Sequence, residues 1–406
     1  GSYPAFYLSA FQVVKVIKGN FSNHASAAGI RRSLVVFQFV LSIVLIAGII
    51  IIYSQLSYIG NKDLGFDKEQ NLVFTFYTNE TQNKIPSFAA DLKELAEVKV
   101  VSRANNFPSQ FVGNDWVYFL EGGNVATGQD VKMMYTDEYF AKANGLRLVS
   151  GRDFRNHDSG KVLINETLAK RLGLKTAVAP GTKLYPQQDA GEPITHVEIA
   201  GVIKDFNFNS LHEEVKPFML QYDTRRGDLS NVIVNADSKN YKSLLGKIEK
   251  VWQKDLPGVP FEYAFLDDEV QKQYESENTL ARIINSFTLM AILISCLGLF
   301  GLAAFSAEQR NKEIGIRKVL GASVTGIVQL LSKDFLQLVL VSIVIAVPIA
   351  WWAMDKWLQN FAYKITISWW MFALAGLLAL GIAIFTVSFQ AIKAAVSNPV
   401  KSLRAE

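Results

Sequence analysis

The chain holds a single cysteine, Cys296, among 406 residues, so no disulfide within it can staple the fold. Its four histidines, His24, His157, His196 and His212, show neither the HxH nor the HExxH spacing that sets two imidazoles on one metal. No GxxxxGK[ST] loop occurs. Gly160-Lys161-Val162 and Gly246-Lys247-Ile248 lack both the hydroxyl and the leading glycine spacing, which excludes a P-loop nucleotide site. No GxSxG elbow marks a nucleophile, and the adjacent acids Glu213 and Glu214 read as solvated surface rather than as a general acid and base. Nothing here carries catalysis, and no metal or cofactor is expected.

Charge is also missing from four long apolar stretches, in a chain of which half is hydrophobic. About 20 apolar residues are needed to cross the ~30 Å hydrocarbon layer at a rise of ~1.5 Å per residue. Ser33–Tyr53 and Ile283–Ala307 carry no charged side chain, and Phe335–Met354 and Ile365–Ile392 complete the set. The expected spans are 33–57, 283–307, 335–354 and 365–392. The lack of intramembrane charge argues against an ion or proton path through them. Ala375, Ala379 and Ala383 recur every four residues, as they do where helices approach closely, although alanine is also simply tolerated in lipid. Pro348 is expected to kink the third span.

Basic residues give the sidedness. Lys15, Lys18, Arg31 and Arg32 precede the first span; Arg310, Lys312, Arg317, Lys318 and Lys333 lie between the second and third; Lys393, Lys401 and Arg404 follow the fourth. All fall inside if the N-terminal segment 1–32 and the tail 393–406 are cytoplasmic, which leaves 58–282 and the short loop 355–364 outside. The large outer segment takes 27 of the 41 basic and 32 of the 37 acidic residues, a balance of about −5. The net charge of +4 therefore reflects membrane sidedness, not a nucleic-acid footprint.

The outer segment reads as α+β, in two subdomains. Strands are expected at Asn71–Thr78, Val98–Arg103, Val162–Ile164, His196–Ile203, Asn231–Asn235 and Phe261–Phe265. Helices are expected from Pro86 to Glu97, from Glu166 to Leu172 with Asn165 as N-cap and Gly173 as stop, and over Tyr241–Trp252. From an N-cap at Asp267 or Asp268, no proline or glycine interrupts the chain until Gly298. This predicts a continuous helical stalk of ~20 Å over Glu269–Arg282 leading into the second span. An ordinary helical linker would look the same.

Between the second and third spans, Glu308-Gln309-Arg310-Asn311-Lys312-Glu313-Ile314-Gly315-Ile316-Arg317-Lys318-Val319-Leu320-Gly321 mixes both charge signs around apolar residues. A short amphipathic segment beside the membrane suits docking onto a cytoplasmic partner; a loop that is only a positive-inside anchor is the competing reading. Sliding the first twenty residues by 386 lays Ala5 on Ala391, Val14 on Val400, Lys15 on Lys401, Ile17 on Leu403 and Lys18 on Arg404. The match predicts a duplicated plan in which this chain is the second unit.

The stretch RNKEIGIRKVLGAS resembles the signature after the second span of MacB/FtsX-like ABC permeases, and NPVKSLRAE resembles the end of their last span. YFAKANGLRLVSGRDF, VLINETLAKRLG and IAGVIKDFNFNSLHEEVKPF are similar to stretches of the family's periplasmic core domain. The opening GSYPAFYLSAF resembles the junction between halves of the duplicated, eight-span version found in Bacteroidetes-type bacteria. The resemblance implies an inner-membrane permease with four spans, an α+β periplasmic domain on a helical stalk, and no enzyme activity of its own. It implies as partners a cytoplasmic ABC ATPase dimer, a second permease half or protomer, and a periplasmic or outer-membrane component, but no nucleic acid. On the residues matching the signature, ATPase coupling falls to Glu308, Arg310, Glu313, Ile314, Gly315, Ile316, Arg317, Lys318 and Gly321. Export of antibiotics, peptides or lipoproteins is the implied role. A non-transporting regulator of wall hydrolases or antimicrobial-peptide signalling is the alternative.

Overall fold

The computed structural model describes residues 23–69, 71–187, 195–223, 229–237, 240–310, 313, 316, 317, 320 and 322–396. Most of the residues carrying the 386-offset match lie outside them. The chain divides into a helical unit (residues 1–56, 279–359 and 365–406) and a β-rich unit (57–278 and 360–364).

In the β-rich unit, β1 (Asn71–Thr75), β2 (Val98–Ala104), β10 (Asn231–Ala236) and β11 (Ala264–Phe265) form an antiparallel sheet ordered β11-β1-β10-β2. Helices α2 (Ile85–Lys93) and α4 (Tyr241–Asp255) share its core. Leu244, Ile248 and Trp252 are spaced by four along α4, so one stripe of that helix is buried with Phe74, Phe76, Phe88 and Leu92. Burial of each such side chain contributes about 1.5–3 kcal/mol.

Between β2 and β10 the chain builds a second subdomain. Its strands are β3 (Asp115–Leu120), β4 (Gln129–Thr136), β6 (Lys161–Asn165), β7 (Lys183–Pro186), β8 (Val197–Ile203) and β9 (Phe218–Tyr222), with β5 (Leu148–Gly151) paired to β8. The ladder runs β4-β3-β7-β8-β6-β9, and β9 then pairs in parallel with β4, closing six strands into a barrel. Side chains two apart fill the interior, with Val131 and Met133, Val162 and Ile164, and Val197 and Ile199 in one cluster.

Asn165 ends β6 and caps α3 (Glu166–Arg171), as its position in the sequence predicts. Its Oδ1 accepts from Leu168 N at 3.0 Å and from Phe218 N at 3.0 Å, while Nδ2 donates to Lys216 O at 2.9 Å. The side chain is fully buried, so Asn165→Ala leaves three backbone groups without partners. A loss of about 2–3 kcal/mol is expected, well above that of an exposed cap, and thermal unfolding of the full chain would measure it.

The helical unit contains α1 (Asn23–Asn61), α6 (Glu275–Gln309), α7 (Val324–Leu358) and α8 (Trp369–Val396). All four are long and apolar enough to cross a membrane. Their shared core mixes large and small residues: Ala346 and Ala350 of α7 are buried with Ala375, Ala379 and Ala383 of α8, beside Phe39 and Ile43 of α1. Large side chains such as Leu297, Val344 and Phe385 point outward, 71, 74 and 79% exposed, the pattern of a bundle solvated by lipid. Gly298 leaves room for a neighbouring helix, since a Cβ there would lie 2.5 Å from Gln38 Oε1. Pro348 lies within α7, which is assigned as one helix from Val324 to Leu358.

Two features differ from expectation. The stalk is not continuous: α5 (Leu266–Lys272) ends and α6 begins three residues later at Glu275. At the break, Gln273 Nε2 donates to Ser109 O at 2.8 Å, and the Tyr274 hydroxyl accepts from Leu211 N at 2.8 Å. These tertiary bonds occupy the junction that helix propensity alone would bridge. The N-cap of α5 is Phe265; Asp267 and Asp268 lie in the first turn, where the helix dipole favours acids.

Candidate coupling sites

The cytoplasmic docking segment predicted from sequence begins where α6 ends. Arg310 N still donates to Ser306 O at 3.2 Å, and its guanidinium pairs with Asp334 of α7 at 2.9 Å. Glu308 is exposed. Glu313 and Arg317 form an i,i+4 ion pair at 2.8 Å, so they share the face their spacing predicts. Ile316 and Leu320, also four apart, are 53 and 79% exposed, and Leu320 N donates to Ile316 O at 3.0 Å. The turn closes where Ala322 N donates to Arg317 O at 2.9 Å, and Ser323 then caps α7 by accepting from Gly326 N at 3.2 Å. The turn therefore presents two apolar side chains and an ion pair to solvent. Ile314, Gly315, Lys318 and Gly321 lie outside the described residues.

A second constellation was not anticipated. Residues 360–364 join α7 to α8 yet belong to the β-rich unit. Ala362 N donates to His212 O at 3.2 Å and Tyr363 N to Leu211 O at 3.3 Å, a short backbone pairing. The His212 ring stacks on Phe361 at 4.2 Å, with the Tyr274 ring at 5.9 Å. Its edge is fixed by Ser210 Oγ at 2.6 Å from Nδ1 and by Glu277 Oε1 at 3.1 Å from Nε2. Lys62 Nζ lies 4.3 Å over the Tyr363 ring.

Serine, histidine and glutamate in contact suggest a hydrolase, but the roles of the two imidazole nitrogens are reversed relative to a Ser-His-acid triad. The serine is also only two residues from the histidine and serves its local turn. This network positions a loop. Its only trace in the sequence is the aromatic content of Phe361-Ala362-Tyr363 in a loop otherwise read by its charges. Replacing both His212 and Phe361 by alanine is expected to expose the 360–364 backbone. Faster hydrogen exchange at Ala362 and Tyr363, with exchange in β1 and β10 unchanged, would check it.

Elsewhere, perturbed ionisation in the β-rich unit traces to burial and to structural pairs. Burial raises the Asp137 carboxyl above its usual range, while Ser102 and Arg103 bond to it. The Arg152 guanidinium beside Asp158 holds that carboxyl low. Among the described residues no group of His, Cys, Asp and Glu is arranged to hold a metal.

Comparison with known proteins agrees with this architecture. Residues 37–250, more than half of the chain, match the MacB-like periplasmic core domain, and residues 285–399 match the FtsX-like permease C-terminal domain. The chain belongs to the MacB/FtsX-like family of ABC transporter permeases: a multi-pass inner-membrane protein with an α+β periplasmic domain. It is 27% identical over 278 residues to the uncharacterized ABC transporter permease YknZ of Bacillus subtilis, an alignment covering 66% of this chain and 68% of that one. The periplasmic region of MacB from Actinobacillus actinomycetemcomitans aligns with 55% of this chain and 97% of its own length, at 12% identity and a TM-score of 0.37. A domain of a putative permease from Porphyromonas gingivalis aligns with 49% and 90%, at 16% identity and a TM-score of 0.35.

Proposed function

We propose that this permease transmits the ATP-driven motion of a separate cytoplasmic ATPase dimer to its periplasmic domain, for export or efflux of antibiotic, peptide or lipoprotein cargo. In this reading 308–334 is the coupling loop, 355–364 the outer turn, and a second permease half or protomer completes the assembly. The observation that carries it is the exposed turn at the end of α6, where Ile316 and Leu320 flank the Glu313–Arg317 pair. Apolar side chains held at a membrane surface beside an ordered ion pair suit a protein partner better than water. A chain without a P-loop suits a permease whose ATP hydrolysis is supplied by such a partner. The His212–Phe361 contact supplies a further route for motion, since it ties the α7–α8 turn into the β-rich unit.

The experiment is ATP turnover of the reconstituted permease and ATPase, with pull-down of the ATPase by permease variants. Cargo-dependent turnover with release of cargo supports export, whereas co-purification of a wall hydrolase without release supports the regulatory role. Sidedness has its own check. In a Cys296→Ala background, cysteine at Phe111, 80% exposed, is expected to react with an impermeant thiol reagent in spheroplasts, and cysteine at Leu320 is not. The reverse pattern overturns the arrangement.

A further inference from the structure

We infer that the cytoplasmic ends of α1, α6 and α7 form a headgroup site for an anionic phospholipid. A cleft of about 70 Å³ lies there, with Arg31 and Arg32 of α1 on its rim. The Arg31 guanidinium sits 4.5 Å over the ring of Phe305 of α6, so a contact from a second helix places this charge. Neither Arg31 nor Arg32 has a carboxylate partner among the described residues. The one acid on the cleft, Asp334, is already paired with Arg310 at 2.9 Å. With that pair neutral, the two free guanidinium groups leave the cleft at a formal charge of +2.

Ser306 and Gln309 of α6 add a hydroxyl and an amide to the same cleft, groups that can bond a phosphate or the hydroxyls of a glycerol headgroup. Beneath this polar rim the walls are apolar: Leu302, Phe335 and Leu338. Outside it, Leu34, Phe37 and Leu41 repeat along α1 at helical spacing and are 56, 65 and 46% exposed. The cleft has room for a phosphate group, and the exposed stripe runs from the next turn of α1 toward the middle of the span, as an acyl chain would. A soluble phosphate would use only the rim. A positive-inside flank requires charge but no cleft, second-helix contact or apolar floor. Basic pockets between helices on the cytoplasmic side are where anionic headgroups bind.

The test measures binding of the full chain in mild detergent to phosphatidylglycerol, phosphatidylcholine and inorganic phosphate, by native mass spectrometry and thermal shift without any ATPase. Expected is retention of phosphatidylglycerol over phosphatidylcholine, weakened about tenfold or more in R31Q/R32Q and largely kept in R31K/R32K. Phe305→Ala is expected to weaken it too while leaving both charges in place. The lysine pair also shows that the doubly substituted chain folds. Equal retention of both lipids, an unchanged affinity in R31Q/R32Q, or full competition by inorganic phosphate overturns the proposal. So does a chain that keeps no phosphatidylglycerol but loses ATPase capture when Arg31 and Arg32 are replaced, because those residues would then belong to a protein interface. Loss of coupling with lipid retention intact would count against the transmission reading alone.

Discussion

Arg317→Glu is expected to lower permease-dependent ATP turnover about tenfold or more in the reconstituted complex, while the protein stays folded and inserted. The 2.8 Å pair with Glu313 is exposed, so its loss costs the free chain only about 0.3–0.5 kcal/mol. At a docked interface the same change sets two like charges side by side, which costs several kcal/mol, and ~1.4 kcal/mol is already tenfold in affinity. Ile316→Asp is expected to act as strongly by another route. It removes an apolar side chain whose burial against a partner contributes about 1.5–3 kcal/mol, and it places a charge there. Both variants should fail to pull down the ATPase. Normal capture and normal turnover in both would reduce this turn to a positive-inside anchor.

Trp252→Ala is expected to destabilise the β-rich unit by about 3–5 kcal/mol. The indole is 3% exposed, with Phe76 at 5.4 Å and Phe88 edge-on at 5.3 Å, and its Nε1 donates to Val259 O at 3.0 Å. Truncation opens a cavity that aromatic neighbours cannot collapse into, and it strands the Val259 carbonyl. Denaturant titration of the full chain, read by protease resistance of the β-rich unit, would measure the loss. Trp116→Ala, at a residue 54% exposed, is the control, with an expected change within about 0.5 kcal/mol. Equal effects at the two tryptophans would contradict the assigned core.

Much of the helical unit is legible in the sequence because lipid imposes a one-dimensional rule: about 20 apolar residues per crossing, with basic residues inside. In the β-rich unit the sequence is legible where local chemistry is decisive. Asn165 before Glu166 announces a cap and a helix start, and the four-residue spacing of Leu244, Ile248 and Trp252 announces a buried helix face. The sequence is not legible in this way at β3, β4, β5, β7 and β9. Gln129–Thr136 carries Asp130 and Lys132 among its apolar residues and is in no expected strand, yet β4 pairs with β3 on one side and β9 on the other.

The sequence by itself determined what depends on single residues and their near neighbours: four spans, their sidedness, the Asn165 helix cap and an amphipathic turn at the end of the second span. The tertiary structure alone decided what depends on residues distant in the chain. Pairing Lys132 with Phe218 closes the barrel across 86 positions, and seating Phe361 on His212 ties a loop to a strand connection 149 residues earlier. No local periodicity encodes such contacts, because their free energy appears only once both partners are already in place. The break in the stalk has the same origin. Local propensity runs the stalk, Glu269–Arg282, into the span 283–307 as one helix, and the bonds from Gln273 to Ser109 and from Leu211 to Tyr274 lie where it is interrupted.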